Sequence, residues 1–380
     1  MLKRTLIALL AFMLLIPQIA LAAARLPDIS AKSAIVIEAS TGKILYSKNA
    51  DDRRYPASTT KMMTLILALE QGNLNDVVTA SVNAANTEGS SLWLQAGERL
   101  KLQDMLYGMM LISGNDATVA VAEHIAGSVD AFARRMTEKA HAIGAVNTNF
   151  TNSSGLPDVN HYSTAADLAR IAAYGYKNPL FAKIVSTQHL TLPWQGKDHN
   201  RDLYNENKLL WLYDGANGVK TGYTDAAGRC LVSGAKRGGL QLVAVVLDSD
   251  RMWDDSMKLL DFGFSQVQPV RMINQGDILK TIRIDDGKTD LVRLVATADV
   301  NVPVSDDDKD SFSTVVVAPN RVEAPVAVGQ KLGVVKTYYK NAEIASVDLV
   351  AADQADRRSF FGLIWGSLWS FFTFILRNFA

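Results

Sequence analysis

Ser58-Thr59-Thr60-Lys61, Ser113-Gly114-Asn115 and Lys220-Thr221-Gly222 are the residues of this chain best suited to do chemistry. Three positions along a helix is nearly one turn, so Lys61 projects from the same face as Ser58. A buried lysine near other cations loses affinity for its proton and can then accept one from a serine. A helix N-terminus at Ser58 would add free N–H groups and positive potential where an oxyanion develops. The bland alternative is a capping serine with a surface lysine, and S-x-x-K taken alone favours it.

The second block lies in a break between two helical patterns. There Ser113 could relay a proton to a leaving amine while the Asn115 amide holds a carbonyl or Lys61. Capping of the next helix by Asn115 or Asp116 is the alternative, compatible with that role. The third block lies on a strand pattern. Lys220 and Thr221 could bind a terminal carboxylate, and Gly222 would let substrate backbone approach the strand edge. A solvated lysine on an ordinary edge strand is its counterpart. Each block is weak alone; the three in this order, on helix, loop and strand, make coincidence a poor explanation.

The elements that must position them are readable in outline. Ala34–Ala39 and Lys43–Tyr46 carry strand signals on either side of a Ser40-Thr41-Gly42 turn and predict a hairpin. Helical periodicity covers residues 61–71, 102–110 and 117–125, and strand patterns return at 218–224, 229–235 and 240–248. Strands at both ends with helices between them imply an α+β domain, an antiparallel sheet covered by helices, over residues 25–264. After Phe264, short alternating segments at 277–284, 291–296, 312–317, 331–338 and 345–350 predict a small all-β domain, residues 265–355. Asp306 to Asp310 is expected to be a solvated loop rather than a calcium site, because an EF-hand loop's glycine and glutamate are missing.

The two ends carry targeting signals. Lys3 and Arg4 precede an apolar run, Leu6 to Ile16, closed by Pro17 and by the small residues Ala20 to Ala24. Residues 1–24 are expected to be a secretory signal peptide, since eleven apolar residues are too few to span a bilayer. From Ser359 to Leu376 the chain is uncharged and rich in Phe and Trp, with Arg357, Arg358 and Arg377 flanking it. Residues 356–380 are read as an amphipathic helix lying in the membrane interface, with membrane lipid as partner through 357–380. A short transmembrane helix and a helix docked on the protein's own surface are its rivals. Basic and acidic residues balance at 39 each, so no basic field marks a nucleic-acid partner. Cys230, the single cysteine, sits in an apolar strand pattern and is expected to be buried and inert. No cofactor is expected, and no metal, because the five histidines form no ligand or triad pattern.

With these blocks in place the chain resembles the D-alanyl-D-alanine carboxypeptidases among the low-molecular-mass penicillin-binding proteins. Tyr55–Lys61, Leu111–Ala117, Gly155–Asp158 with His161–Ala165, Gly218–Thr224 and Arg251–Ser256 with Leu259–Phe264 carry the resemblance. It implies a β-lactamase/transpeptidase-like fold and a substrate class, the pentapeptide stems of peptidoglycan ending in D-Ala-D-Ala. It further implies Ser58 as acyl-ester nucleophile, Lys61 as general base, and Ser113 with Lys220 as the proton relay, with Asn115 beside them. The backbone N–H groups of Ser58 and Tyr223 would form the oxyanion hole, and Lys220, Thr221, Gly222 and Arg251 would bind substrate. Arg251 could instead be a surface residue paired with Asp254 or Asp255. Tyr223 stands where some members carry histidine. β-Lactams are the implied inhibitors, and the implied place is the periplasmic, outer face of the cytoplasmic membrane, held peripherally through the terminal helix. A class A β-lactamase would need an E-x-x-L-N block, and Asn205-Glu206-Asn207 does not fit one. A D,D-endopeptidase and a membrane-anchored penicillin-binding scaffold with low turnover stay open.

Overall fold

A computed structural model of the chain describes residues 26–305 and 307–358; the expected signal peptide and the expected membrane helix beyond Arg358 lie outside the described residues. The first domain is built on a five-stranded antiparallel sheet. Its strands run in the order Ile44–Lys48, Ser33–Glu38, Leu240–Leu247, Gly228–Arg237 and Ala216–Thr224. The predicted hairpin forms one edge and the Lys220 strand the other.

Both faces of this sheet are covered, and the period-two alternation divides the strand side chains between them. Ile35, Ile37, Val232, Val243 and Val245 join one core with the central helices. Ala34, Val36, Leu231, Leu242 and Val246 join a second core with Leu259 and Leu260 of the helix Met252–Gln266. The helix Lys61–Gln71 is buried on nearly every side from Lys61 to Ala68, so its lack of a polar stripe reflects a central position. Helices Leu102–Leu111, Asn115–Ala126, Val129–Ala142 and Ala165–Gly175 surround it. Ser128 and Thr164 start the last two by accepting hydrogen bonds from Ala131 N and Asp167 N.

The second domain is all-β. Six strands run in the order Phe312–Val317, Lys331–Tyr339, Ala342–Ala351, Leu291–Ala296, Ile278–Asp285 and Arg321–Glu323, with a separate pair, Gln268–Ile273 and Val300–Val304. Ile282, Val292, Leu294, Val302 and Leu349 form its core. The aspartate loop is not simply solvated. Lys43, on the first domain's hairpin, reaches across to Asp307 at 2.7 Å, Asp308 at 2.9 Å and the Ser305 hydroxyl. Asp308 is nearly buried at 4% exposure, so the loop ties the two domains together. Residues just before the chain's aromatic end are tied as well. Arg357 forms a bridge to Gly287, and Arg358 donates to Gly287 O and to Asp290 at 2.9 Å.

Candidate active site

Ser58 sits in a tight 3-10 turn, Ala57–Thr60, that leads directly into the helix opening at Lys61. The turn is held from three sides. Thr59 Oγ1 donates to Pro56 O at 2.7 Å. His161, almost fully buried, accepts from Thr151 N at Nδ1, which leaves Nε2–H to donate to Thr60 Oγ1 at 2.8 Å. Burial holds His161 neutral and pulls its pKa down to about 4; nearby Lys61 adds to this and Asp158 opposes it. Behind the turn, Gly155 leaves no space: a Cβ there would lie 1.9 Å from Ala57 O.

Lys61 is fully buried, and its Nζ touches Ser58 Oγ at 2.8 Å, Asn115 Oδ1 at 2.7 Å and Ser154 O at 2.8 Å. Burial, then the charge of Lys220, hold its pKa well below the ordinary lysine value, against the opposing pull of Glu206 and Asp116. Asn115 Oδ1 and Ser154 O accept from Nζ and hold it against the Ser58 hydroxyl. Asn115 is itself fixed, because its Nδ2 donates to Glu88 O at 2.7 Å.

Ser113 occupies the break between Leu102–Leu111 and Asn115–Ala126 with φ of +63°. Its Oγ is buried without a hydrogen-bond partner, an arrangement that costs stability and leaves the hydroxyl available to an incoming group. Neither Asn115 nor Asp116 caps the following helix; Gly114 is the cap residue. Asp116 instead accepts from Leu92 N at 2.8 Å, Leu94 N at 2.9 Å and Ser91 Oγ at 2.8 Å, pinning the loop that forms the near wall of the cleft.

Lys220, Thr221 and Gly222 lie on the edge strand Ala216–Thr224, with the first two side chains buried. Burial lowers the Lys220 pKa to about 8, while Glu206 works in the opposite direction. A Cβ on Gly222 would sit 3.0 Å from Ser58 N, so the strand approaches the nucleophile turn backbone to backbone. Ser58, Ser113, Thr221, Gly222 and Tyr223 line one cleft of about 310 Å³, with Ser90, Glu206, Met252 and Trp253 completing the walls. A larger hollow of about 550 Å³, bordered by Arg53, Arg54 and Asp248, contains no residue of the three motifs.

Arg251 is not brought to this cleft. Its guanidinium, 51% exposed, stands 4.0 Å from Asp28, and it pairs with neither Asp254 nor Asp255. Asp255 is buried instead beneath Ser30, Ala31 and Ser249, from which it accepts hydrogen bonds. Tyr223 lines the cleft with Ser58, but its side chain is 62% exposed and its hydroxyl donates to Asp225. Cys230 is buried on the sheet, and burial pushes its thiol up to about 11. Sequence reasoning missed Ser154, His161, Asp116 and Glu206 as parts of the site. The Ser154 carbonyl and the Glu206 carboxylate leave no local pattern; His161 and Asp116 fell within segments that carried the resemblance, which was their signal.

A helix-borne serine and lysine, a loop serine and asparagine, and a strand lysine meeting beside an antiparallel sheet define a serine acyl-transfer type of fold and site. Comparison with known proteins narrows the class. Residues 20–251 match the D-alanyl-D-alanine carboxypeptidase family, and residues 268–357 match the penicillin-binding protein 5 C-terminal domain. The chain is 35% identical to the D-alanyl-D-alanine carboxypeptidase DacF of Bacillus subtilis, covering 87% of each chain. It is 33% identical to DacA of Escherichia coli, covering 89% of this chain and 87% of that one. Among solved structures, penicillin binding protein 5 from Haemophilus influenzae aligns with a TM-score of 0.61 at 31% identity, covering 87% of this chain and 99% of that one. A Streptomyces DD-transpeptidase aligns with a TM-score of 0.60 at 34% identity, covering 63% and 99%. The chain belongs to the D-alanyl-D-alanine carboxypeptidase family.

Proposed function

We propose that this protein is a serine-type D-Ala-D-Ala carboxypeptidase that removes the terminal D-alanine from peptidoglycan pentapeptide stems and is acylated by β-lactams. The observation that carries the reading is the buried Lys61 amine held between Asn115 and Ser154 with Ser58 Oγ at 2.8 Å. Lys61 takes the Ser58 proton as Oγ attacks the carbonyl of the penultimate D-alanine. Backbone N–H groups of Ser58 and Tyr223 receive the oxyanion. The unpartnered Ser113 hydroxyl passes a proton, with Lys220 behind it, to the departing D-alanine nitrogen. Lys220 and Thr221 hold the terminal carboxylate, a role for which Arg251 is poorly placed. Water then hydrolyses the acyl-enzyme.

The reading extends to place. The charged-then-apolar start with its A-x-A sites and the aromatic, arginine-flanked end support export and peripheral attachment to the outer face of the cytoplasmic membrane. There the enzyme would limit crosslinking and help set cell shape.

The test is release of free D-alanine from a tripeptide ending in Lys-D-Ala-D-Ala, with Ser58→Ala beside it. Release that vanishes in the variant supports the reading. A penicillin-labelled protein that releases none overturns it, and release only in the presence of an added amine would identify a transpeptidase.

A further inference from the structure

Glu206 belongs to none of the three motifs yet lines the same cleft as Ser58 and Ser113. Its Oε2 accepts from Thr221 Oγ1 at 3.2 Å and stands 3.8 Å from Lys220 Nζ. One carboxylate oxygen thus sits between the two donors available to an anionic ligand. The backbone beneath it is fixed. Glu206 N donates to Leu111 O at 2.9 Å, and the buried side chains of Asn205 and Asn207 bond to Thr187 O and Leu209 N. The side chain itself is 44% exposed.

We propose that Glu206 is a specificity-determining residue that occupies, in the empty cleft, the place of the substrate's terminal carboxylate, so that an anionic leaving group must displace it. This rests on the carboxypeptidase reading, which assigns Lys220 and Thr221 to that carboxylate. Displacement makes Thr221 exchange one carboxylate for another and sets two like charges near each other within a partly desolvated cleft. Glu206 therefore weakens binding of substrates with a charged leaving group relative to neutral ones, and leaves the acyl half of the substrate unaffected.

The experiment uses the full chain in detergent and two thioesters that share an acetylated Lys-D-Ala acyl half. One releases mercaptoacetate and the other its methyl ester. The ratio of their kcat/KM values cancels whatever both substrates share, including the protonation of Lys61. Glu206→Gln is expected to raise the charged-to-neutral ratio about tenfold, with the change in KM for the charged thioester, while Glu206→Asp stays within about threefold of wild type. An unchanged or lowered ratio in Glu206→Gln overturns the proposal. Penicillin labelling of each variant reports an intact site, and D-alanine release by the wild type separately judges the carboxypeptidase reading.

Discussion

Lys61 and Lys220 are both buried lysines beside one cleft, and the proposed mechanism gives them opposite tasks. Lys61 has neutral acceptors around it and must work as an amine; Lys220 has Glu206 nearby and must work as an ammonium. The pH dependence follows from that division. Acylation needs Lys61 deprotonated, so kcat/KM falls on the acid side as Lys61 gains a proton. It needs Lys220 protonated to hold the carboxylate, so it falls again as pH rises past the Lys220 pKa of about 8. A pH profile of D-alanine release is expected to show this alkaline limb near pH 8, and a profile flat to pH 10 would refute the assignment. Ser113→Ala removes a buried, unpartnered hydroxyl from the cleft. It should slow acylation by labelled penicillin about 10²–10³-fold while leaving the folded structure as stable as before or slightly more so, since an unsatisfied group is lost.

At the scale of elements, the catalytic turn is positioned by segments distant in sequence. Gly155 carries φ of +90° and faces Ala57 O at a distance no Cβ tolerates. Gly155→Ala therefore forces either the Asn152–Leu156 loop or the Ser58 turn to move. It should cost about 2–4 kcal/mol in urea unfolding and reduce penicillin acylation together with stability. Asp116 has a different burden, since three donors of the Ser91–Leu94 loop end on its carboxylate. Asp116→Ala leaves buried N–H groups of Leu92 and Leu94 without partners and should cost about 2–4 kcal/mol, measured as a fall in Tm. The hairpin and the sheet strands were legible because strands buried on both faces read as short, β-branched apolar runs bounded by turn residues, as in Ser33–Glu38 and Leu240–Leu247. The helices Val129–Ala142 and Ala165–Gly175 were not called from the sequence, although Ser128 and Thr164 carry ordinary capping signals. Both segments are clearly amphipathic, so their periodicity as well as their caps was readable in the sequence.

At the scale of the whole molecule, the clamp on Lys43 joins the catalytic sheet to the β-domain. Burial alone would lower the Lys43 pKa, but hydrogen bonds and charge from Asp307 and Asp308 outweigh it and hold the ammonium above its ordinary value. The Asp307 carboxyl is held down at about 2, chiefly by the Lys43 hydrogen bond. A carboxyl depressed in the folded state contributes stability above its unfolded value near 4, and that contribution is lost as pH falls toward 2. Lys43→Ala should leave penicillin acylation unchanged and speed proteolytic cutting between Gln266 and Val270. Equal cutting in both proteins would show that the domains are held by other contacts. The reading of Asp306 to Asp310 as a solvated loop fits exposed Asp307, Lys309 and Asp310 but missed the buried Asp308 and the clamp, because a charge run gives no sign of a cation lying more than 250 residues away in the chain.

What the sequence determined by itself was the set of candidate chemical groups and their local spacing. Ser58 and Lys61 are one helical turn apart, Ser113 falls between two helical runs and Lys220 lies on a strand, so local spacing sets which groups can act and on which elements. Only the tertiary structure decided how those groups are tuned. The Ser154 carbonyl on Lys61, the His161 brace on Thr60, the Glu206 carboxylate in the anion site and the diversion of Arg251 to Asp28 all depend on contacts between distant segments. Burial and charge shift a pKa over a few ångströms of space, whatever the separation along the chain, and periodicity carries no record of that distance.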